Sequence, residues 1–196
     1  VLAGQPAPDP AGANPLIKDW VTPFGVPPFK EIREEHYLPA LKEGIARQKK
    51  VVEAIVANPE APSFANTVAA LDSSSELLDK VSGVFTNLVS AQTTDGLQAI
   101  AQEAAPLVSA ARDDIRLDAR LFARIKAVWE KRSTLGLDTE QRKLLEDTYR
   151  AFVRGGANLD AAGKERLRAV NAELSSLTVT FSDNLLKETN AFRLVV

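Results

Sequence analysis

The chain contains a single histidine, His36, and no cysteine or methionine among its 196 residues. Most zinc, copper and haem sites, and most nucleophilic triads, use His or Cys side chains. A His-Glu-x-x-His zinc helix needs two histidines one turn apart, so this chain cannot contain one. The lack of cysteine also excludes a disulfide framework. The sequence therefore predicts no catalytic and no metal-binding residue in this chain, and it leaves any substrate-binding residues unknown.

A strong charge of either sign and a long apolar run are also missing. The 24 Lys and Arg residues nearly balance the 26 Asp and Glu residues, which leaves a net charge of −2. Such a balance gives no general attraction to nucleic acid or to an anionic membrane surface. No apolar run approaches the roughly 18 residues that a transmembrane helix requires. We therefore expect no nucleic-acid partner and no transmembrane segment.

Apolar residues recur at intervals of three and four along most of the chain, which predicts an all-α fold. We expect about six helices in an antiparallel, bundle-like domain, with capping residues at Ser63, Thr93 or Thr94, Asp138 and Asp160. A break is expected near 117–118, and Gly155-Gly156 should end the fifth helix. The longest helix, after Asp160, carries a near-heptad stripe typical of a bundle seam. The predicted helices span about 36–58, 63–91, 94–117, 119–130, 139–154 and 161–189, and the stripe consists of Leu167, Val170, Leu174, Leu177, Phe181 and Leu185.

The two ends of the chain have different patterns. Residues 1–13 are rich in Pro, Ala and Gly and are expected to be a flexible leader. Such a leader favours an exported, periplasmic protein, with a tag remnant and a cytoplasmic location as the alternatives. The prolines of segment 14–29 predict an extended N-terminal stretch whose aromatic residues pack on the following helices. Residues 191–196 look like the beginning of a strand. We expect residues 14–196 to form one helical domain.

Several titratable residues could in principle carry chemistry. His36 follows Glu34 and Glu35 and could act as a general base or a weak metal ligand. A local hydrogen bond at the start of a helix is the ordinary alternative. Asp113 and Asp114 are adjacent, as are the two glutamates, and adjacent side chains diverge around a helix. Neither carboxylate pair is therefore predicted to be an acid–base pair.

A row of arginines and a pair of glycines are the other candidates. Arginines recur every fourth residue at Arg112, Arg116, Arg120 and Arg124, which on one straight helix would form a basic stripe. Interleaved aspartates and the predicted break near 118 favour a solvated surface instead. Gly155-Gly156 lacks the sequence context of a phosphate-binding loop.

Eight sequence blocks, in this order and spacing, resemble the N-terminal region of bacterial peptidyl-dipeptidases. These enzymes, also called dipeptidyl carboxypeptidases, belong to the thimet oligopeptidase and oligopeptidase A family of zinc metallopeptidases. The resemblance extends over nearly all of 14–196. The blocks are 14–16 (NPL), 22–25 (TPFG), 27–29 (PPF), 35–40 (EHYLPA), 58–67 (NPEAPSFANT), 121–126 (LFARIK), 152–159 (FVRGGANL) and 185–192 (LLKETNAF).

The resemblance implies a largely helical, two-part enzyme. Family members have a deep channel between an N-terminal helical part and a C-terminal catalytic part that carries the His-Glu-x-x-His zinc motif. Peptidyl-dipeptidases release dipeptides from the free C-terminus of short peptides. This chain contains no part of that motif, so no catalytic residue is carried over to any position here. The resemblance implies zinc in the parent enzyme, the catalytic domain of the same protein as partner, and short peptides as substrates.

Two classes of function are compatible with these observations. The chain is either the N-terminal lobe of a zinc peptidase, forming part of the channel wall, or a stand-alone helical interaction module. In the first case, an apolar surface should be exposed where the rest of the enzyme packs. We expect segment 14–29 and tail 191–196 to contribute to that surface.

Overall fold

A computed structural model describes residues 14–193 of the chain. The predicted leader and the last three residues of the predicted strand-like tail lie outside this range. Within it, the fold is all-α without a strand, as the periodicity predicts. A short 3₁₀ turn, Pro23–Gly25, precedes the helices. These are α1 (Glu34–Ala57), α2 (Ala70–Ser73, entered through a π-helical turn, Phe64–Ala69), α3 (Glu76–Ala91), α4 (Asp95–Arg116), α5 (Ala119–Glu130), α6 (Thr139–Arg154) and α7 (Ala161–Ala191).

Most helix starts are fixed by local capping bonds that the sequence predicts. Asp138 Oδ1 accepts the backbone N–H of Gln141 at 2.8 Å, while Gln141 Oε1 accepts the N–H of Asp138. Thr94 and Asp160 accept N–H groups in the same way at the starts of α4 and α7. Asp118 caps α5 at the predicted break after α4. These bonds satisfy backbone donors that no helix can satisfy internally.

The prediction of one continuous helix over 63–91 is wrong. Ser63 does cap its start, because its Oγ accepts the N–H of Asn66 at 3.1 Å. The first turn is then π-helical, and the helix breaks at Ser74–Ser75 before α3 begins. The Ser74 hydroxyl donates to the carbonyl of Leu71 at 2.6 Å, which competes with a regular helical continuation. The segment therefore consists of a short bent piece followed by α3.

Helix α1 lies at the centre of the core. Its first half, with Tyr37 and Leu41, packs with α3 and the start of α4 in one apolar cluster. Its second half, with Val52 and Ile55, packs with α5 and α6 in a second cluster. A third, smaller cluster joins the π-helical turn to α5 and α6 around Val68. One helix thus connects the two larger parts of the core.

The N-terminal segment is only partly packed against the helices. Leu16 is fully buried, and the Trp20 indole N–H donates to the carbonyl of Pro15 at 3.0 Å. The prediction that the aromatic residues pack on the helices holds for Trp20 but is wrong for Phe24 and Phe29, which are exposed. The reason is a tight turn in which Phe24 adopts a positive φ of 61°. That turn directs the Phe24 side chain into solvent.

Helix α7 is packed in a different orientation from the one predicted. It runs antiparallel to α4: the Lys164 ammonium donates to the Leu117 carbonyl at 3.0 Å, and the Ser109 hydroxyl lies 3.4 Å from the Asn171 carbonyl. The near-heptad stripe does not form a seam, because no residue of α7 is buried within the described structure. The side of α7 that carries Arg168 and Asn171 packs on α4. The stripe residues from Val170 onward face away and are exposed, whereas Leu167 is half-buried beside Gly156. At the end of α7, Ala191 is still helical and Phe192 has an extended backbone.

The crossing of α1 and α3 generates a stability prediction. A Cβ at Gly44 would lie 2.9 Å from the Cα of Leu78, whereas a Cβ at Gly83 would have free space among the described residues. Backbone atoms cannot move aside as a flexible side chain would, so we expect Gly44→Ala to lower the free energy of unfolding by about 1–3 kcal/mol. Gly83→Ala, the matched control on α3, should raise it by about 0.5–1 kcal/mol through helix propensity. Urea unfolding of both variants measures the contrast, and a stabilising Gly44→Ala would contradict the packing.

Candidate functional site

His36 lies in the first turn of α1, where it makes a local hydrogen bond. Its Nδ1 accepts the backbone N–H of Arg33 at 3.0 Å. Asn14 donates its side-chain amide to the His36 carbonyl at 2.8 Å, which ties the N-terminal segment to the helix. Glu34 accepts a hydrogen bond from the Thr94 hydroxyl and so connects the starts of α1 and α4. The ordinary interpretation of His36 is confirmed: its ring nitrogen supports a helix start.

Asp113 and Asp114 attach α7 to the rest of the domain. Asp113 is buried, and its Oδ1 accepts the side-chain amide of Asn171 at 2.8 Å. Asp114 is paired with Lys49 of α1 at 2.6 Å and with Arg168 of α7 at 2.8 Å. Partial burial by itself would raise the pKa of Asp114, but the hydrogen bonds and charges of Lys49 and Arg168 outweigh it and lower that pKa. The two carboxylates therefore have separate structural partners.

The arginine row is divided between two helices, as the predicted break requires. Arg120 is paired with Glu53 and Asp118. Partial burial by itself would raise the pKa of Asp118, but the hydrogen bonds that it accepts from the Arg120 side chain and from the backbone N–H groups of Leu121 and Arg120 lower that pKa. Arg124 donates to the carbonyls of Asn58 and Glu60, at 2.9 and 3.3 Å, and so fixes the loop after α1. These cations are used within the fold and do not form a continuous basic stripe.

Gly155 and Gly156 terminate α6, as predicted. The N–H of Gly156 donates to the Val153 carbonyl, and the N–H of Ala157 donates to the Phe152 carbonyl at 3.0 Å. This pair of bonds is a Schellman motif, with Gly156 at a φ of 95°. A Cβ at Gly156 would lie 2.6 Å from a methyl carbon of Leu167, so the position also requires glycine for close packing. The glycine pair thus has a structural role.

No arrangement of titratable side chains over residues 14–193 has the geometry of a metal site. In that range, no group of three or more His, Asp or Glu residues could hold an ion. The zinc that the resemblance implies therefore has no fitting donor set in the described structure. Nor does any helix there have the length and apolar character of a membrane span.

A shallow depression on the surface lies between α5 and α6. It has a volume of about 450 Å³ and is lined by Trp129, Arg132, Leu137 and Arg142, among others. The Arg132 guanidinium stacks 4.2 Å from the centroid of the Trp129 ring, and Arg142 Nε donates to the Leu137 carbonyl. Arg132 and Arg142 therefore each contact another residue that lines the same depression.

Two exposed apolar surfaces are the most unusual features of the molecule. The first is the N-terminal loop 21–29, where Phe24 is 101% exposed relative to a reference side chain. A bulky residue in the left-handed region is held at a cost of roughly 1–2 kcal/mol. Such strain at an exposed position is typical of a functional contact. The expectation that segment 14–29 exposes apolar side chains is confirmed for Val21, Phe24, Val26 and Phe29.

The second surface, which we call the α7 stripe, comprises Val170, Leu174, Leu177, Phe181 and Leu185. All five are at least 50% exposed. Phe192, in the predicted tail, is exposed as well, whereas residues 194–196 lie outside the described range. Sequence reasoning found the periodicity of this stripe but assigned it to the interior of the bundle. The lack of any charged residue in 174–182 is a signal that could have marked it as a special surface.

Several known peptidases are similar in sequence to this chain. The chain is 38% identical to the dipeptidyl carboxypeptidase of Escherichia coli over 183 residues, which is 93% of this chain and 27% of that protein. It is 26% identical to the oligopeptidase A of Salmonella typhimurium over 176 residues. It is 24% identical to a probable cytosolic oligopeptidase A of Arabidopsis thaliana over 194 residues. No family model matches the chain.

The similarities first indicate a class: this all-α chain resembles one part of known peptidases. Among the peptidases compared, the predicted resemblance to the bacterial peptidyl-dipeptidases is confirmed, at 38–39% identity to two dipeptidyl carboxypeptidases. The chain spans only about a quarter of the length of these relatives.

The ion pairs at Asp114 generate a pH prediction. Its folded-state pKa lies below the ordinary value of 3.8, so its stabilising contribution is complete above that value. The contribution is lost as the pH falls through the folded-state pKa. We expect Asp114→Asn to destabilise the domain at pH 7 and to make its stability less dependent on pH below about 4. Urea unfolding between pH 7 and pH 3 measures both effects.

The control for that experiment is Asp19→Asn. Asp19 is exposed and makes no ion pair within residues 14–193, so its variant should keep the wild-type acid dependence. Parallel acid profiles for the wild type and Asp114→Asn would show that Lys49 and Arg168 do not stabilise the carboxylate.

Proposed function

We propose that this chain is the N-terminal helical lobe of a zinc metallopeptidase that releases dipeptides from the C-terminus of short peptides. The observation that carries the proposal is the 38% identity to a dipeptidyl carboxypeptidase over 93% of the chain. Identity to the oligopeptidases A is lower, at 24–26%, which favours the dipeptide-releasing class. In this proposal, the partner of the lobe is the catalytic domain of the same protein, which holds the zinc.

The contribution of the lobe to the reaction is confinement of the peptide. With one histidine in the chain, the lobe supplies no zinc motif, and its paired carboxylates serve packing. It would instead form part of the wall of a channel that admits unstructured peptides. The exposed loop 21–29 supports this role, because Val21 and Phe24 are fully exposed in the described structure and Phe24 has a positive φ.

The stand-alone interaction module is the alternative, and the same exposed apolar side chains are compatible with it. The two functions differ in what the lobe needs in order to act. A lobe acts only when joined to a catalytic domain, whereas a module binds its partner alone. Export of the protein and the boundaries of its domain stay predictions.

The first expected outcome concerns the isolated chain. Purified chain mixed with Zn²⁺ and a short peptide with a free C-terminus should release no dipeptide, because no group of residues within 14–193 could hold a zinc ion to activate water. Mass spectrometry of the reaction mixture measures release. Zinc-dependent turnover by this chain would overturn the proposal.

The second part of the experiment restores the missing region. We would replace the matching quarter of the Escherichia coli dipeptidyl carboxypeptidase with this chain and assay the chimera on the same peptide. The proposal expects dipeptide release that a zinc chelator abolishes. A folded chimera without activity would favour the stand-alone module.

A further inference from the structure

The α7 stripe has the geometry of a contact surface. Its five side chains, from Val170 to Leu185, recur every third or fourth residue and therefore share one side of the helix. The stripe is about 22 Å long at 1.5 Å per residue. Phe181 is 70% exposed, although α4 packs against another side of the same helix through Arg168 and Asn171. The described part of the chain leaves this side of α7 uncovered.

Residues 174–182, in the middle of the α7 stripe, have the composition of a buried helix. Residues 174–182 contain no Asp, Glu, Lys or Arg, although solvated helix surfaces are normally rich in these residues. They are mainly Ser, Thr, Val and Phe, which are weak helix formers compared with Ala, Leu or Glu. A helix of such residues depends on tertiary packing for most of its stability. Here the packing on α4 covers only one side.

Four of the five hydroxyl groups of this stretch, all except that of Ser182, donate to carbonyls of the same helix. Thr178 donates to the carbonyl of Leu174 at 2.8 Å, and Thr180 donates to that of Ser176 at 3.1 Å. Ser175 and Ser176 both donate to the carbonyl of Ala172. A polar group that keeps its hydrogen bond can be buried at little cost, whereas an unpaired one costs several kcal/mol. Another apolar surface can therefore cover the α7 stripe while these four hydroxyl donors keep their partners.

We propose that the α7 stripe is buried in the intact enzyme against the remainder of the same polypeptide, which offers an apolar and largely uncharged surface to it. The inference rests on the proposed function. The dipeptidyl carboxypeptidases that the chain resembles extend well beyond the matched region, which is 27% of their length. A covalently joined occupant needs little area, because its effective concentration is high.

A second copy of this chain is the less suitable occupant. A stable dimer buries about 800 Å² on each partner. One side of a helix that is about 22 Å long and about 10 Å wide offers a few hundred Å². The stripe alone is thus too small for a lasting dimer but sufficient as part of an intramolecular interface.

The chain lacks cysteine, so a single introduced thiol can report on the exposure of the stripe. We would label Leu177→Cys with a maleimide in the isolated chain and in the chimera with the Escherichia coli enzyme, and locate the label by peptide mass spectrometry. The proposal expects labelling at least about tenfold slower in the chimera, since thiol reactivity follows access. The matched control is Val51→Cys, an exposed position on α1 that should be labelled equally fast in both proteins.

The outcomes separate this inference from the proposed function. Equal labelling of Leu177→Cys in the two proteins would overturn the inference even if the chimera releases dipeptides. Protection in a folded but inactive chimera would support the interface and contradict the proposed function. Slow labelling of the isolated chain that becomes fast on dilution would identify a second copy as the occupant and overturn the inference.

A second measurement does not depend on the folding of the chimera. Hydrogen exchange of the isolated chain should show amides of 174–182 exchanging much faster than those of the buried helix α5, because the stretch lacks the partner that stabilises it. Protection of 174–182 equal to that of α5 would show that this helix needs no further partner, and it would overturn the proposal.

Discussion

The close approach of α1 and α3 at Gly44 is the contact on which the rest of the domain depends. Because the glycine has no side chain, the backbone of Leu78 lies where a Cβ would otherwise be. This approach brings the first apolar cluster together around Tyr37 and Leu41. The same rigid helix then carries Val52 and Ile55 to the second cluster, so α5 and α6 are positioned relative to α3 through α1.

Helix α7 is attached to the rest of the domain through polar contacts. Asp113 is buried and needs a hydrogen-bond donor, which Asn171 supplies, while Asp114 is held by Lys49 and Arg168. A rotation of α7 that turned its apolar stripe toward α4 would leave the Asp113 carboxylate buried and unpaired. An unpaired buried carboxylate is more costly than exposed apolar surface. The polar contacts therefore decide the orientation of α7 and leave the stripe exposed.

Local features of the fold could be predicted from the sequence because their causes are local. The Asp138–Gln141 capping box and the end of α6 at Gly155-Gly156 depend on residues within one turn of each other. Two other local features, at Ser74–Ser75 and at Phe24, could not be predicted. The break at Ser74–Ser75 interrupts an otherwise continuous apolar periodicity, and the exposure of Phe24 follows from a backbone turn whose φ the sequence pattern does not specify.

Residue types and short spacings were enough to predict the all-α class, most helix ends, the resemblance to the peptidases and the lack of a His-Glu-x-x-His motif, because none of these depends on how the helices pack. The side of α7 that meets α4, and the set of apolar residues that stay exposed, became known from the folded structure. Periodicity shows that a helix has an apolar side, but the partner of that side is set by contacts between residues far apart in the chain, such as Asn171 with Asp113.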